Sequence, residues 1–393
     1  MTPAARVQAA IEVLDLVIAA AQAQGAPADR VVSDWFRTRR FAGSGDRRAV
    51  RELVFRAIRA CGDVPASGRA AMVLLARHDP ALASLFDGSR HGPEPIRDGE
   101  AGALPGIAPD WLAGALAQSG IAGAEAMALL DRAPLDLRVN GLKASREGLE
   151  LPVPAEPTQA AQGLRLPSGT AVDQWPAFLD GRIEVQDTGS QLACEAMSAA
   201  PGETVIDLCA GAGGKALALA ASMANRGRII ASDTDRARLS RLMPRAERAG
   251  ASIIETVLLD PGREGVALAA WQGRADAVLV DAPCSGTGTW RRNPEARWRL
   301  KPAELQRLAA LQARLLDLAA SFVRPGGRLV FVTCSLLDAE GLDQASGFLE
   351  RHAEWRADPP ILPAGRSHGP GLRLTPAHDG TDGFFIARFV SPC

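Results

Sequence analysis

Apolar residues recur at helical spacing through the first part of the chain: Val7, Ile11, Leu14 and Val17/Ile18, then Val50, Leu53, Val54, Ala57 and Ile58. Stripes at i, i+3, i+4 are the faces that amphipathic helices bury, so residues 1–90 are expected to form an all-α domain. Glycine, proline and charge take over between 87 and 106 (DGSRHGPEPIRDGEAGALPG). With a helical piece around 111–130, this makes 91–134 a linker and connecting helix. Residues 136–140 alternate as a strand does, and prolines punctuate 151–170; a small α+β module is expected over 135–183. From 184 to 393 the period switches again. Strand-like runs at 204–209, 228–233, 252–260, 275–283 and 328–334 alternate with helical runs at 215–223, 235–249 and 303–323. Such alternation predicts an α/β domain with a mostly parallel sheet and helices on both faces.

Ligands of parallel sheets bind at the carboxyl ends of the strands, and those ends carry the chemistry here. The first run ends in Asp207-Leu208-Cys209-Ala210-Gly211-Ala212-Gly213-Gly214-Lys215, a glycine loop at a strand-to-helix turn. Its backbone lets a ligand approach closely. The second ends in Asp233, where a carboxylate accepts hydrogen bonds from both ribose hydroxyls. Together they point to a nucleoside cofactor without separating NAD from S-adenosylmethionine. The third ends in Asp260, either a partner for an adenine amine or a turn acid. The fourth and fifth end in Asp281-Ala282-Pro283-Cys284 and Thr333-Cys334-Ser335, so adjacent strands bring two thiols to the cofactor's rim. A thiolate there can add to an electrophilic ring carbon. That step is needed before carbon 5 of a pyrimidine becomes a nucleophile. Cys61, Cys194 and Cys393 are read as small buried hydrophobes.

Composition excludes more than it identifies. The chain has 393 residues, 47% apolar and 23% charged, which is ordinary globular chemistry with enough length for several cores. A net charge of −1 gives no global field for nucleic acid, so any such contact rests on local stretches. Between 34 and 59 eight arginines face three acids, either a solvated helix face or a phosphate-contacting surface. Arg291, Arg292, Arg297, Arg299 and Lys301 interleave with Trp290 and Trp298. That mixture suits looped RNA, with inward-packed tryptophans as the structural alternative. Only three basic residues are lysines (Lys143, Lys215, Lys301), so each is worth locating. No Cys-x-x-Cys pair or histidine spacing predicts a metal centre. Acids interrupt the N-terminal apolar stretch, unlike a signal peptide, and no run suits a membrane span. A soluble, reduced, cytoplasmic protein is expected.

The set DLCAGAGGK, DTDRARL, DAPCSGTG, TCS and the terminal DGFFIARF closely resembles the RNA 5-methylcytosine methyltransferases of the Sun/Nop (Fmu-like) family. VNGLK at 139–143 and VQDTGSQL at 185–192 extend the likeness to about 135–393. The helical N-terminal part, with RELVFRAIR at 51–59, looks like the NusB-like domain of the bacterial ribosomal-RNA members. The resemblance implies a Rossmann-like methyltransferase sheet binding S-adenosylmethionine and acting as a monomer on RNA, 16S ribosomal RNA foremost. A transfer-RNA substrate, or a non-catalytic role in ribosome assembly, is the competing expectation. It further implies that Cys334 attacks carbon 6 of cytosine, that Cys284 assists release, and that Asp281 holds the base beside the cofactor. Cys209, Ala210, Gly211, Ala212, Gly213, Gly214 and Lys215 would wrap the cofactor, with Asp233 on the ribose and Asp260 on the adenine. Lys143 would touch RNA, beside Arg291, Arg292 and Trp298. Two departures stand out: Gly211-Ala212 replace the family's Ala-Pro, and the run 337–341 lacks the asparagine usual after TCS.

Overall fold

A computed structural model describes residues 1–393. The chain folds as two compact units, one of residues 1–131 with 289–301, the other of 132–288 with 302–393.

The first unit is helical: α1 (Pro3–Gln22), α2 (Ala28–Arg37), α3 (Ser44–Ala60), α4 (Gly68–Ala76), α5 (Asp110–Gln118) and α6 (Ala124–Ala128). Thr2 and Ser67 cap α1 and α4 by accepting from the amides of Ala5 and Ala70. The expected stripes face each other, so Val7, Leu14 and Val17 are buried with Val50, Val54 and Ile58. Where α4 crosses α1, a Cβ on Gly68 would lie 2.2 Å from the Ile11 carbonyl oxygen; only glycine lets the helices approach so closely. The helix expected over 111–130 is broken into α5 and α6, with Gly120 and Gly123 between them at positive φ.

Residues 289–301 also belong to this unit, and here the structure corrects the sequence reading. Trp298 is 6% exposed within the helical core, and Trp290 is fully buried. Arg291 is buried and Arg292 half-buried. Arg297, with no exposed surface, donates from Nη2 to the carbonyls of Ile58 and Cys61, both at 2.7 Å. Arg299 donates to Gly25 and Ala26 at 2.9 and 2.7 Å. Glu295 accepts the Ala28 amide at 2.8 Å. Cations thus meet carbonyls at helix C-termini and a carboxylate meets a helix N-terminus, the arrangement that helix dipoles favour. Inward packing wins because a tryptophan gains more by leaving water than by offering a stacking face to it.

In the second unit β1 (Leu135–Val139), β2 (Glu156–Pro157), β3 (Gly163–Leu166) and β4 (Ile183–Val185) form an antiparallel sheet ordered β2-β3-β1-β4. Leu137 and Val139 face its core. Asp136 and Arg138 point the other way and are also buried; Arg165 and Thr188 satisfy Asp136, and Gln186 satisfies Arg138. The VNGLK motif is a joint within this unit. Asn140 Nδ2 donates to the carbonyls of Gly181 and Ala249, both at 2.8 Å, and Lys143 Nζ donates to those of Asp180 and Arg248 at 2.9 and 2.7 Å. Lys143, expected at the RNA, is exposed and donates to these backbone oxygens.

The large sheet follows, with α7 (Thr188–Glu195), β5 (Thr204–Asp207), α8 (Gly214–Ser222), β6 (Arg228–Asp233), α9 (Leu242–Ala249), β7 (Ile254–Leu258), β8 (Ala275–Asp281), α10 (Pro302–Ala320), β9 (Val323–Thr333), α11 (Leu342–Arg351), β10 (Arg356–Ala357), β11 (Arg366–His368), β12 (Gly371–Leu374) and β13 (Phe384–Val390). The nine strands run β11-β12-β13-β9-β8-β5-β6-β7, with β10 beside β13. Strands β9, β8, β5, β6 and β7 are mutually parallel, and β13 joins β9 antiparallel. Successive residues serve opposite cores: Val205 and Ile229 pack on one face, Ile206 and Ile230 on the other. That explains the near-continuous apolar runs of these strands. The helix expected to reach 323 stops at Ala320, because Val323 already pairs with Ala275. Cys61 and Cys194 are buried as expected, whereas Cys393 is exposed.

Candidate active site

From β5 the strand order leaves in both directions, to β6 on one side and β8 on the other. A crevice opens at such a switch point, outside the carboxyl ends. Here it is a cavity of about 440 Å³ lined by Cys209, Asp233, Leu259, Asp281, Cys284 and Cys334 among others, within the range of small-ligand sites.

The glycine loop begins at Cys209 on the cavity wall. Gly211 and Gly213 have φ of 55° and 84°, and a Cβ on Gly213 would lie 2.4 Å from Leu242 Cγ. Asp233 holds the loop from the next strand: its Oδ2 accepts the Gly211 amide and its Oδ1 the Asp235 amide, both at 2.7 Å. Arg245 donates to the Ala212 carbonyl at 2.6 Å and to Glu184 of β4 at 2.8 Å, tying the small sheet to the loop. These features suit a nucleoside cofactor: a glycine cradle, an acid at the end of the second strand, and adequate volume. Asp260 is exposed and outside the cavity lining; Leu259, Glu264 and Arg314 stand on that side.

Deeper in, Lys215 Nζ donates to Asp281 Oδ2 at 2.6 Å. Burial alone would lower the ammonium's pKa, but the Asp281 charge and hydrogen bond more than offset this, and the net shift is upward. Asp207 is fully buried and neither oxygen has a hydrogen-bond partner. Burial first, then the Asp281 charge, push its carboxyl up to about 7.

At the ends of β8 and β9 the Sγ atoms of Cys284 and Cys334 stand 3.4 Å apart, as neither motif alone could disclose. The hydrogen bond to Cys334 and burial push the Cys284 thiol well up. Cys209, a third thiol in the cavity, is also pushed up by burial and by the acids around it. Sequence reasoning missed the groups behind the pair: Ser285, Thr287, Ser335, Gln312 and Glu340. Ser285, Thr287 and Ser335 stand inside the DAPCSGTG and TCS motifs and Glu340 in the run 337–341 after them, whereas nothing in the sequence pointed to Gln312.

The strand order and the cavity at its switch point define a Rossmann-like methyltransferase fold carrying a two-thiol site. Residues 195–390 match the family described as 16S rRNA methyltransferase RsmB/F, and through that segment the chain belongs to this family. It is 39% identical to a probable ribosomal RNA small subunit methyltransferase B of Synechocystis sp., over 71% of this chain and 66% of the relative. It is 36% identical to ribosomal RNA small subunit methyltransferase B of Erwinia tasmaniensis, over 66% of this chain and 60% of that one. The chain thus spans less than two thirds of these relatives' length. Among solved structures, PH0851 superposes with a TM-score of 0.76 at 25% identity, covering 99% of both chains. A methyltransferase homologue from Pyrococcus horikoshii gives 0.58 at 25%, over 72% of this chain and 99% of that one.

Proposed function

We propose that the protein is an S-adenosylmethionine-dependent RNA methyltransferase that forms 5-methylcytosine in small-subunit (16S) ribosomal RNA. The observation that carries this reading is the thiol pair 3.4 Å apart beside the nucleoside-sized cavity. A dehydrogenase of the same sheet type has no need of two thiols there, whereas cytosine methylation uses both. The names of the relatives support the RNA substrate.

Cys334 supplies the nucleophile: its sulfur bonds to carbon 6 of a cytosine flipped from its stack, and the displaced electron pair enriches carbon 5. Asp281, held by Lys215, accepts a hydrogen bond from the base and steadies the charge that develops on the ring. The loop 209–215 and Asp233 hold the cofactor, with Asp233 on the ribose hydroxyls. When bound, S-adenosylmethionine supplies the electrophilic methyl group that carbon 5 accepts. The proton on carbon 5 must then leave, its bonding pair expelling Cys334 and restoring the ring. Cys284, in contact with Cys334, assists this release by passing its thiol proton to the departing Cys334 sulfur and taking up the carbon-5 proton in its place.

Two variants test the assignment with a ribosomal-RNA fragment and a radiolabelled methyl donor. Cys334→Ser is expected to lose activity by at least about a thousandfold. Cys284→Ser is expected to accumulate a denaturation-resistant protein–RNA complex. Normal turnover by the first variant, or no trapped complex with the second, removes the corresponding role. Bisulfite sequencing of ribosomal and transfer RNA from cells with and without the gene identifies the cytosine. Loss of protection at a transfer-RNA site alone would overturn the ribosomal assignment.

A further inference from the structure

The chain is held on both sides of Cys284 and on both sides of Cys334. Before Cys284 the Pro283 carbonyl accepts from Gln312 Nε2 at 2.8 Å, and after it the Ser285 amide donates to Glu340 Oε1 at 2.9 Å. Before Cys334, Thr333 Oγ1 donates to the Glu340 carbonyl at 3.2 Å. After it, Ser335 Oγ stands 3.2 Å from Ser285 Oγ and 3.1 Å from Thr287 Oγ1. The Cys334 carbonyl itself accepts the Gly288 amide at 3.0 Å. Gln312 Nε2 also donates to Glu340 Oε1 at 3.1 Å, so a single network of buried groups ties the two loops together. The 3.4 Å contact between the sulfurs is thus fixed by the backbone that carries them.

The pair is also reachable. Both cysteines are half-buried and line the cavity of about 440 Å³, so a small oxidant that enters it meets two sulfurs at once. Cys61 and Cys194 are buried and Cys393 is exposed; none of these three touches a second sulfur. The difference decides what oxidation does. A thiol on its own climbs from sulfenic to sulfinic acid, which small thiols do not reverse, whereas a neighbouring thiol captures the sulfenic acid as a disulfide. Sulfurs in a disulfide stand about 2.05 Å apart, and rotation about the two Cα–Cβ bonds has to close the remaining gap of roughly 1.4 Å.

We propose that Cys284 and Cys334 form a redox pair: a hydroperoxide oxidises the site only as far as a disulfide between them, and small thiols return it. In the first step one sulfur, as the thiolate, bonds to a peroxide oxygen while the O–O bond breaks. The products are a sulfenic acid and hydroxide, which takes up the proton the thiol lost and leaves as water. In the second step the other sulfur bonds to the sulfenic sulfur, and the S–O bond breaks. The hydroxyl departs as water with the attacking thiol's proton. Two thiols have then given two electrons to one peroxide, and two equivalents of a small thiol reverse the change. Each cysteine shields the other from irreversible oxidation. This role lies beyond the proposed methylation and does not depend on which sulfur attacks a base, although neither can while the disulfide lasts.

The test treats the free protein with hydrogen peroxide at neutral pH, blocks the remaining thiols and maps the peptides by mass spectrometry. In the wild type the peptides carrying Cys284 and Cys334 are expected to be joined, about 2 Da lighter than their sum, and to separate with dithiothreitol. Cys393, exposed and alone, is expected to gain oxygen under the same exposure and shows that the oxidant sufficed. Cys284→Ser is expected to raise the sulfinic acid found at Cys334 at least about tenfold over the wild type. A wild type whose Cys334 reaches sulfinic acid as readily as Cys393, with no 284–334 link, overturns the proposal. So does a link from either residue to Cys209 in place of the other. If Cys284→Ser does not fold, the wild-type map decides alone. Because no RNA is present, a wild type that links the pair but methylates no ribosomal RNA sinks the proposed substrate and leaves this inference standing.

Discussion

At the scale of single residues, a buried acid stands beside the site without a hydrogen-bond partner. Asp207 sits at the end of β5 with both oxygens unpartnered, and its carboxyl is pushed up to about 7. An unfolded aspartate titrates near 4, so between those values the folded protein holds a proton that the unfolded chain releases. Stability is then greatest at the acid end of this window and falls as pH rises through about 7. Asp207→Asn mimics the protonated form, and its melting temperature should decline less between pH 5 and 8 than the wild type's. Thermal scans at the two pH values check this; an equal decline in both proteins refutes it. The loop offers a sharper contrast. Gly213→Ala meets a left-handed φ and a Leu242 side chain 2.4 Å away, whereas Gly214→Ala meets nothing within 4 Å. Calorimetric titration with S-adenosylmethionine should show at least about tenfold weaker binding for the first and near wild-type affinity for the second. Equal affinities would mean that the loop conformation does not govern binding.

At the scale of elements, short polar motifs turn out to join helices and strands. The segment 289–301 looked like an RNA contact because arginines and tryptophans alternate in it, but the Arg297 and Arg299 guanidinium groups serve helix carbonyls and the Trp298 indole lies in the helical core. Replacing Arg297 by alanine leaves the Ile58 and Cys61 carbonyls without that donor in a dry setting. The expected loss is about 3 kcal/mol in the unfolding free energy of the helical unit, read by urea titration of its circular dichroism. A loss below about 0.5 kcal/mol would show that water replaces the guanidinium freely. VNGLK tells the same story, since Asn140 and Lys143 close off the end of α9. In 289–301 the sequence disclosed residue types suited to RNA, and the backbone oxygens within reach took up Arg297 and Arg299.

At the scale of the whole molecule, chain order and structural membership part company. Residues 289–301 lie in sequence between β8 and α10 of the sheet-bearing unit, yet they complete the helical one. A chain lacking residues 1–131 should therefore expose Trp298, bind a hydrophobic dye and aggregate. Replacing 289–301 by a glycine–serine linker in that shortened chain should restore solubility. A shortened chain that stays monodisperse without the linker would contradict this. The small sheet over 135–185 likewise belongs to the sheet-bearing unit, where Glu184 reaches the glycine loop through Arg245. No helix of either unit is long and apolar enough to cross a membrane.

Local pattern determined the helical stripes, the strand–helix alternation, the glycine loop and the presence of acids and cysteines at strand ends, because each is written in spacing that neighbours along the chain can read. The methyltransferase family was legible for the same reason. Tertiary structure alone decided which polar side chains face a cavity and which join backbone ends, because that depends on partners tens to hundreds of residues away. It brought Cys284 to within 3.4 Å of Cys334 across 50 positions and Glu340 against Ser285 across 55. It also put Trp298 into a core formed by helices more than 200 residues earlier. Residue type travels with the sequence, whereas solvent exposure and the sign of a neighbouring charge belong to the fold.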